Sequence, residues 1–242
     1  MAIVLYRFPL SHFSEKGRAL LEFKKLQFRI EERRVGLPQV GLYRLSGQRK
    51  APVIDDGGRI VAHSTEIALY LEDRTPEPRL LPSSPDARRE VMELEDRIDH
   101  WMGSYAPVVW FDWIVRERPR DVERLLEVEV WGLGRGRLAA RAVHPLMRLG
   151  KANRLVEKSV ERTHVLLGEL CERLEKHRYL CGDEPSLADV AAVGLAFHLE
   201  FPKTRHSALP EWEGIGVPGF ADAAKYARFF EWRRRFYAEH LG

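Results

Sequence analysis

The chain has 242 residues, 45% hydrophobic and 31% charged, with a formal net charge of +3. That length suits one large domain or two small ones, and the composition is globular rather than fibrous or disordered. The mild positive balance is too weak to point to nucleic acid, and only two cysteines, Cys171 and Cys181, exclude a disulfide-built secreted scaffold and fit a reducing compartment.

The first part of the chain mixes strand and helix signals. "IVLYRF" is a short apolar run rich in β-branched and aromatic residues and predicts a buried strand. "SEKGRALLEFKKL" predicts a helix with Ala19, Leu20, Phe23 and Leu26 on one face. "QFRIEERRV" alternates Phe28 and Ile30 with charged neighbours, as a strand with one wet face does. A loop segment follows. "PVI" and "RIV" then read as two strands joined by Asp55-Asp56-Gly57-Gly58, strong hairpin chemistry. "STEIALYLEDR" predicts a helix capped by Ser64 or Thr65.

"TPEPRLLPSSPD", residues 75–86, carries four prolines and reads as an extended linker. Beyond it the strand signals vanish. Val91, Leu94, Ile98, Trp101, Met102 and Tyr105 predict a long helix interrupted near Pro107. Val156 to Leu174 repeats the same spacing, "LADVAAVGLAFHLEF" reads as a buried helix, and "AKYARFFEWRRRFYAEHL" as a final amphipathic one. Ser186 and Asp189 form an S-x-x-D capping box, a purely structural device. The Gly- and Arg-rich stretch 132–154 lacks dinucleotide or P-loop spacing, leaving a mobile connection, or an anion or nucleic-acid contact, as its readings. No zinc-type spacing occurs; the bare His198-x-Glu200 pair has no CxxC downstream, so no metal is expected. The N-terminus lacks signal-peptide character and no apolar run is long enough to span a membrane, so the cytoplasm is the expected location.

Three stretches together carry a resemblance. "KAPVI" opens the third strand with Pro52, "HSTEIALYLED" starts a helix on Ser64, and "YLCGDEPSLADVAAVGLAF" carries the capping box. In this order they resemble the cytosolic glutathione S-transferase superfamily, over residues 1–74 and again 155–200. "SHFSEKGR" is similar to the first-helix start of its bacterial serine- and cysteine-type members. The resemblance implies an α/β thioredoxin-like N-terminal domain (βαβ–ββα) over residues 1–74, a linker over 75–86 and an all-α helical domain over 87–242. It also implies glutathione as co-substrate, no metal, no nucleic-acid or membrane partner, and a homodimer.

The residues support those expectations separately. A proline at position 52 interrupts a strand ladder, and its X-Pro bond takes the cis form at little cost. It would turn the backbone of Val53 outward to pair with a peptide ligand. Ser64, at a helix N-terminus, offers a hydroxyl and free N–H groups to a carboxylate. Lys50 stands where the family often carries a basic or amide side chain. His63 departs from the family's acid and cannot supply its negative charge.

Ser11 takes the reactive position by resemblance and Ser14 the second. Either serves equally well as helix punctuation, and His12 stands where proline is usual. The implied chemistry is a hydroxyl that hydrogen-bonds the glutathione thiolate, which then attacks a small electrophile. Tyr6 is a further donor candidate within the first strand. A non-catalytic binding or regulatory protein of the same fold is the alternative.

Overall fold

The computed structural model describes residues 2–130 and 150–241. Most of the Gly/Arg-rich stretch 132–154 lies outside the described residues. The first 74 residues build four strands: β1 (Ile3–Arg7), β2 (Phe28–Glu32), β3 (Val53–Asp56) and β4 (Arg59–Ala62). They form one mixed sheet of order β2-β1-β3-β4, with β1 parallel to β2 and antiparallel to β3. Helix α1 (His12–Phe23) makes the β1–β2 crossover and α3 (Ser64–Arg74) follows β4. The segment expected as a loop before β3 contains a further helix, α2 (Pro38–Ser46).

β1 is buried on both faces, and its side chains alternate as the pleat requires. Ile3 and Leu5 join the main core, whereas Val4 and Tyr6 join a smaller one with Leu42 of α2 and Val53. The β3–β4 turn has Gly57 at φ 63° and Gly58 at φ 100°, the paired positive φ that a two-residue hairpin turn demands. The Asp55 carboxylate accepts the Gly58 N–H at 2.7 Å and locks it.

An all-helical region follows: α4 (Pro85–Glu117), α5 (Pro119–Glu129), α6 (Gly150–Lys176), the fully buried α7 (Leu187–Leu195) and α8 (Ala227–His240). The capping box forms as read, the Ser186 N–H donating to Asp189 at 2.8 Å. Asp189 also accepts the Leu180 N–H, at 2.8 Å. Contrary to expectation, α4 is not interrupted at Pro107. A proline has no N–H to donate, so the carbonyl one turn back, that of Gly103, is left without its helical partner.

The expected linker is clamped rather than free. Lys24 Nζ donates to the carbonyls of Thr75 and Pro78, each at 2.7 Å. Glu72 accepts the N–H groups of Leu80 and Leu81 at 2.9 and 3.1 Å.

The two regions meet along α1, whose residues Ser14 to Phe23 are all buried. Gly194 of α7 lies so close that a Cβ there would sit 2.6 Å from Lys16 Cα. Lys16 itself reaches α4, pairing with Glu95 at 2.5 Å and Asp99 at 2.6 Å, while Thr65 of α3 donates to Glu95 at 2.6 Å. Among the described residues no helix is long and apolar enough to cross a membrane.

Candidate functional site

The strand register gathers the candidate residues at one end of the sheet. Tyr6, Val53 and Ala62 form one row across β1, β3 and β4. The chain therefore leaves β1 toward Ser11, enters β3 from Pro52 and leaves β4 toward Ser64, all at the same edge. α1 is seated there by Gly17, where an added Cβ would meet Pro52 at 2.9 Å.

Ser11 is the N-cap of α1, and its hydroxyl accepts the Ser14 N–H at 3.2 Å. Its residue is half-buried, so the hydroxyl proton stays available to a group outside. Ser14 is 1% exposed, and its Oγ accepts the Phe8 N–H at 3.2 Å. Ser14 thus braces the β1–α1 loop. Tyr6 is buried under α2 with the Arg33 guanidinium 4.9 Å over its ring.

Pro52 follows a cis peptide bond. Val53 does not turn its backbone outward as expected: it is 0% exposed and lies between Tyr6 of β1 and Ala62 of β4. The peptide left free of the sheet belongs to Ala51, outside β3 and without a backbone hydrogen bond to the rest of the described chain. Ala51, which the sequence reading did not single out, stands directly before the strand-opening proline. Lys50 is exposed and without a charged partner among the described residues.

α3 is capped by neither expected residue. His63 is the N-cap, exposed, at φ 70° and ψ 134°, and no side chain caps the helix. Ser64 is its first residue and is buried, while Thr65 turns away to Glu95. The first N–H that bonds back is that of Ile67, to His63 O at 2.9 Å. The N–H groups before it have no backbone acceptor among the described residues, an anion-ready helix end.

His12, the other off-pattern histidine, faces the helical region. Its Nε2 donates to the Gly103 carbonyl at 2.9 Å, the group that Pro107 deprives of a helical donor. Gly103 has no side chain because the Phe13 ring fills its place, 2.7 Å from where a Cβ would be. The His12 ring stands 5.0 Å from that of His198, which in turn lies 4.6 Å from Trp110. Burial pushes His12 down to about 4, its bond to Gly103 opposing the shift, and burial holds His198 well below the ordinary histidine range.

A segment from Phe201 to Leu209 crosses over the β1–α1 loop. Arg7 pins it, donating to His206 O at 2.7 Å and to Glu32 at 2.8 Å. The cavity left between this segment and Ser11 is about 10 Å³, too small for more than one water. Among the described residues no three His, Cys, Asp or Glu side chains gather to hold a metal ion.

The family models described as "Glutathione S-transferase, N-terminal domain" and "Glutathione S-transferase, C-terminal domain" match residues 5–79 and 138–213. Among solved structures, the chain is similar to the β-etherase LigF from Sphingobium sp. strain SYK-6, with 22% identity, TM-score 0.67 and coverage of 99% of this chain and 96% of that one. It is also similar to a glutathione S-transferase from Rhodospirillum rubrum F11, with 18% identity, TM-score 0.65 and coverage of 98% and 88%. A third is a glutathione transferase family member from Pseudomonas fluorescens pf-5, solved with two glutathione bound, at 18% identity, TM-score 0.65 and coverage of 98% and 89%. At these identities the structures speak for the fold, and with the two matched domains they give one conclusion: the chain is a member of the glutathione S-transferase superfamily.

Proposed function

We propose that the protein is a glutathione transferase-like enzyme of the serine type, using Ser11 to hold the glutathione thiolate. The observation that carries this reading is the meeting, at one sheet edge, of a half-buried capping hydroxyl, a free peptide and an uncapped helix N-terminus.

Each group has a role that its chemistry allows. The γ-glutamyl carboxylate takes the free N–H groups and hydroxyl at Ser64, where the helix dipole favours an anion. The cysteinyl backbone pairs with the Ala51 peptide beside Pro52, and Lys50 reaches a ligand carboxylate. The thiol then lies over the start of α1. The Ser11 O–H donates to the sulfur, and the N-terminal N–H groups of α1 add their field. Both favour the thiolate, so the thiol gives its proton to solvent near neutral pH. With an aryl halide, the carbon–sulfur bond forms as halide leaves.

His63 leaves the ligand's amino end without the acid's charge, and so calls for weaker glutathione binding. In this reading residues 1–74 hold glutathione, 75–86 connect, and 87–242 supply the electrophile's wall. The protein works in the cytoplasm as a homodimer.

The narrow cavity beside Ser11 favours a second reading, a binding member of the fold without turnover. Calorimetry with glutathione, then conjugation of 1-chloro-2,4-dinitrobenzene by wild type and Ser11→Ala, separates them. Binding with turnover that falls at least about tenfold in Ser11→Ala supports the enzyme. Binding without turnover supports the second reading, and absence of binding at millimolar glutathione sinks the enzyme.

A further inference from the structure

The β1–α1 loop, residues 8–11, meets most of its backbone needs locally. The Phe8 N–H donates to the Ser14 hydroxyl at 3.2 Å, and the Ser11 N–H to the Phe8 carbonyl at 3.2 Å. Pro9 has no N–H to place. The Leu10 N–H is the exception. Its acceptor comes from the helical region, a carboxylate oxygen of Glu129 at 2.8 Å, 119 positions along the chain.

Glu129 is held in place because α5 is fixed along its length. At its start Arg118 pairs with Asp121 at 2.6 Å and lies 4.5 Å over the Trp212 ring. Val122 and Leu125 are buried. At its end the Glu129 carbonyl accepts the Val35 N–H at 2.8 Å, and Val130 bridges to Val35. One residue thus ties two loops of the α/β region to the helical one. The Glu129 carboxylate has no ion pair among the described residues. Burial, and Glu32 nearby, raise its pKa, while the bond to Leu10 favours the charged form. A charged acceptor makes the stronger kind of hydrogen bond, and here it is spent on a single N–H.

We propose that Glu129 is a positioning residue for Ser11: by holding the Leu10 N–H it sets where the Ser11 hydroxyl points, and so how well that hydroxyl meets the glutathione sulfur. This rests on Ser11 being the thiolate donor. A peptide is planar, so fixing the Leu10 N–H fixes the Pro9–Leu10 plane, one rotatable residue from Ser11. Freed from Glu129, that N–H turns toward water and the loop turns with it. A hydrogen bond weakens steeply as its angle degrades, so the thiol loses acidity while the rest of the glutathione site stays as it was.

The experiment compares Glu129→Gln, which keeps an acceptor oxygen, with Glu129→Ala, which keeps none, each with Ser11 intact and with Ser11→Ala. Neither variant carries the charge, so its effect on the thiolate cancels between them. Glu129→Met, also without an acceptor oxygen but similar in length, repeats the comparison with no space opened. The bound glutathione thiol is titrated by its thiolate absorbance, and conjugation of 1-chloro-2,4-dinitrobenzene is separated into kcat and KM. With Ser11 intact, the thiol in the Ala and Met variants titrates about one pH unit above that in the Gln variant, and kcat is about tenfold lower. The Kd for glutathione agrees within about threefold. In the Ser11→Ala background the Gln, Ala and Met variants agree within about twofold. Equal titration in all three with Ser11 intact overturns this proposal alone. So does the same difference with and without Ser11, or a loss of glutathione affinity in place of the thiol effect, since either marks a merely structural role. A thiol indifferent to Ser11→Ala overturns the serine reading and this proposal together.

Discussion

Replacing His12 by Phe removes one ionisable ring from the contact between the two regions and keeps an aromatic in its place. His12 is buried against Gly103, Phe13 and His198, with no carboxylate among these partners, and its pKa is pushed down to about 4. The unfolded chain, with histidine near 6.5, binds the proton that the folded chain refuses. The stabilisation is therefore complete above pH 6.5 and is lost as pH falls toward 4. A shift of that size costs wild type about 2 kcal/mol at pH 5 and about 3 kcal/mol at pH 4 relative to pH 7.5. Asp99 and Asp189, both raised to about 6 by burial, act in the opposite sense: they lower stability above pH 6 and relinquish that cost on acidification. They are present in both proteins and cancel in the difference. Losing the bond to Gly103 lowers His12→Phe by about 1–3 kcal/mol at every pH, which also cancels in the slope. Urea unfolding at pH 7.5, 5 and 4 measures it. Wild type should lose stability on acidification relative to the variant by the amounts given. Parallel profiles, within about 0.5 kcal/mol, would refute the reasoning.

Lys16→Ala leaves Glu95 and Asp99 facing each other without a cation and should cost about 3–5 kcal/mol, read as a lower urea midpoint. Gly194→Ala drives a methyl into the Lys16 backbone at 2.6 Å and should cost about 1–3 kcal/mol with a conservative change in composition. Pro107→Ala restores a helical donor to the Gly103 carbonyl, so its effect should depend on His12. A double-mutant cycle with His12→Phe should show a coupling of about 1 kcal/mol, and additive effects would dissociate the two residues.

What was legible in the sequence was chemistry acting at short range. The Asp-Asp-Gly-Gly turn and the Ser186–Asp189 box each satisfy their own backbone groups, so they look the same in sequence and in space. β1 was readable because both its faces are buried. α2 was not: apart from Leu42 its residues are partly or wholly exposed, and its pattern has little periodicity to detect. Pro107 misled because a proline breaks a helix on local grounds. Here the carbonyl it strands is taken by a ring 91 positions away from it in the chain, which no window reveals. The site divides the same way. Ser11, Pro52 and Ser64 sit in recognisable local contexts, whereas the enclosure of Val53 within the sheet depends on its pairing with β1 and β4.

The charged residues of α1 bear on how such a chain could be rebuilt by recombination. Lys16 finds its carboxylates on α4, and Glu15, paired with Arg18 on its own helix, accepts the Tyr237 hydroxyl of α8 at 2.7 Å. A graft that brought a foreign helical half to residues 1–74 would bring different partners to those same buried groups. Apolar surfaces tolerate a stranger of the right volume; a sealed lysine tolerates only one that carries its counter-charges. Exchange between relatives of this fold is therefore confined to halves that already share this code, and the helix that begins at Ser11 acts as the lock that reads it.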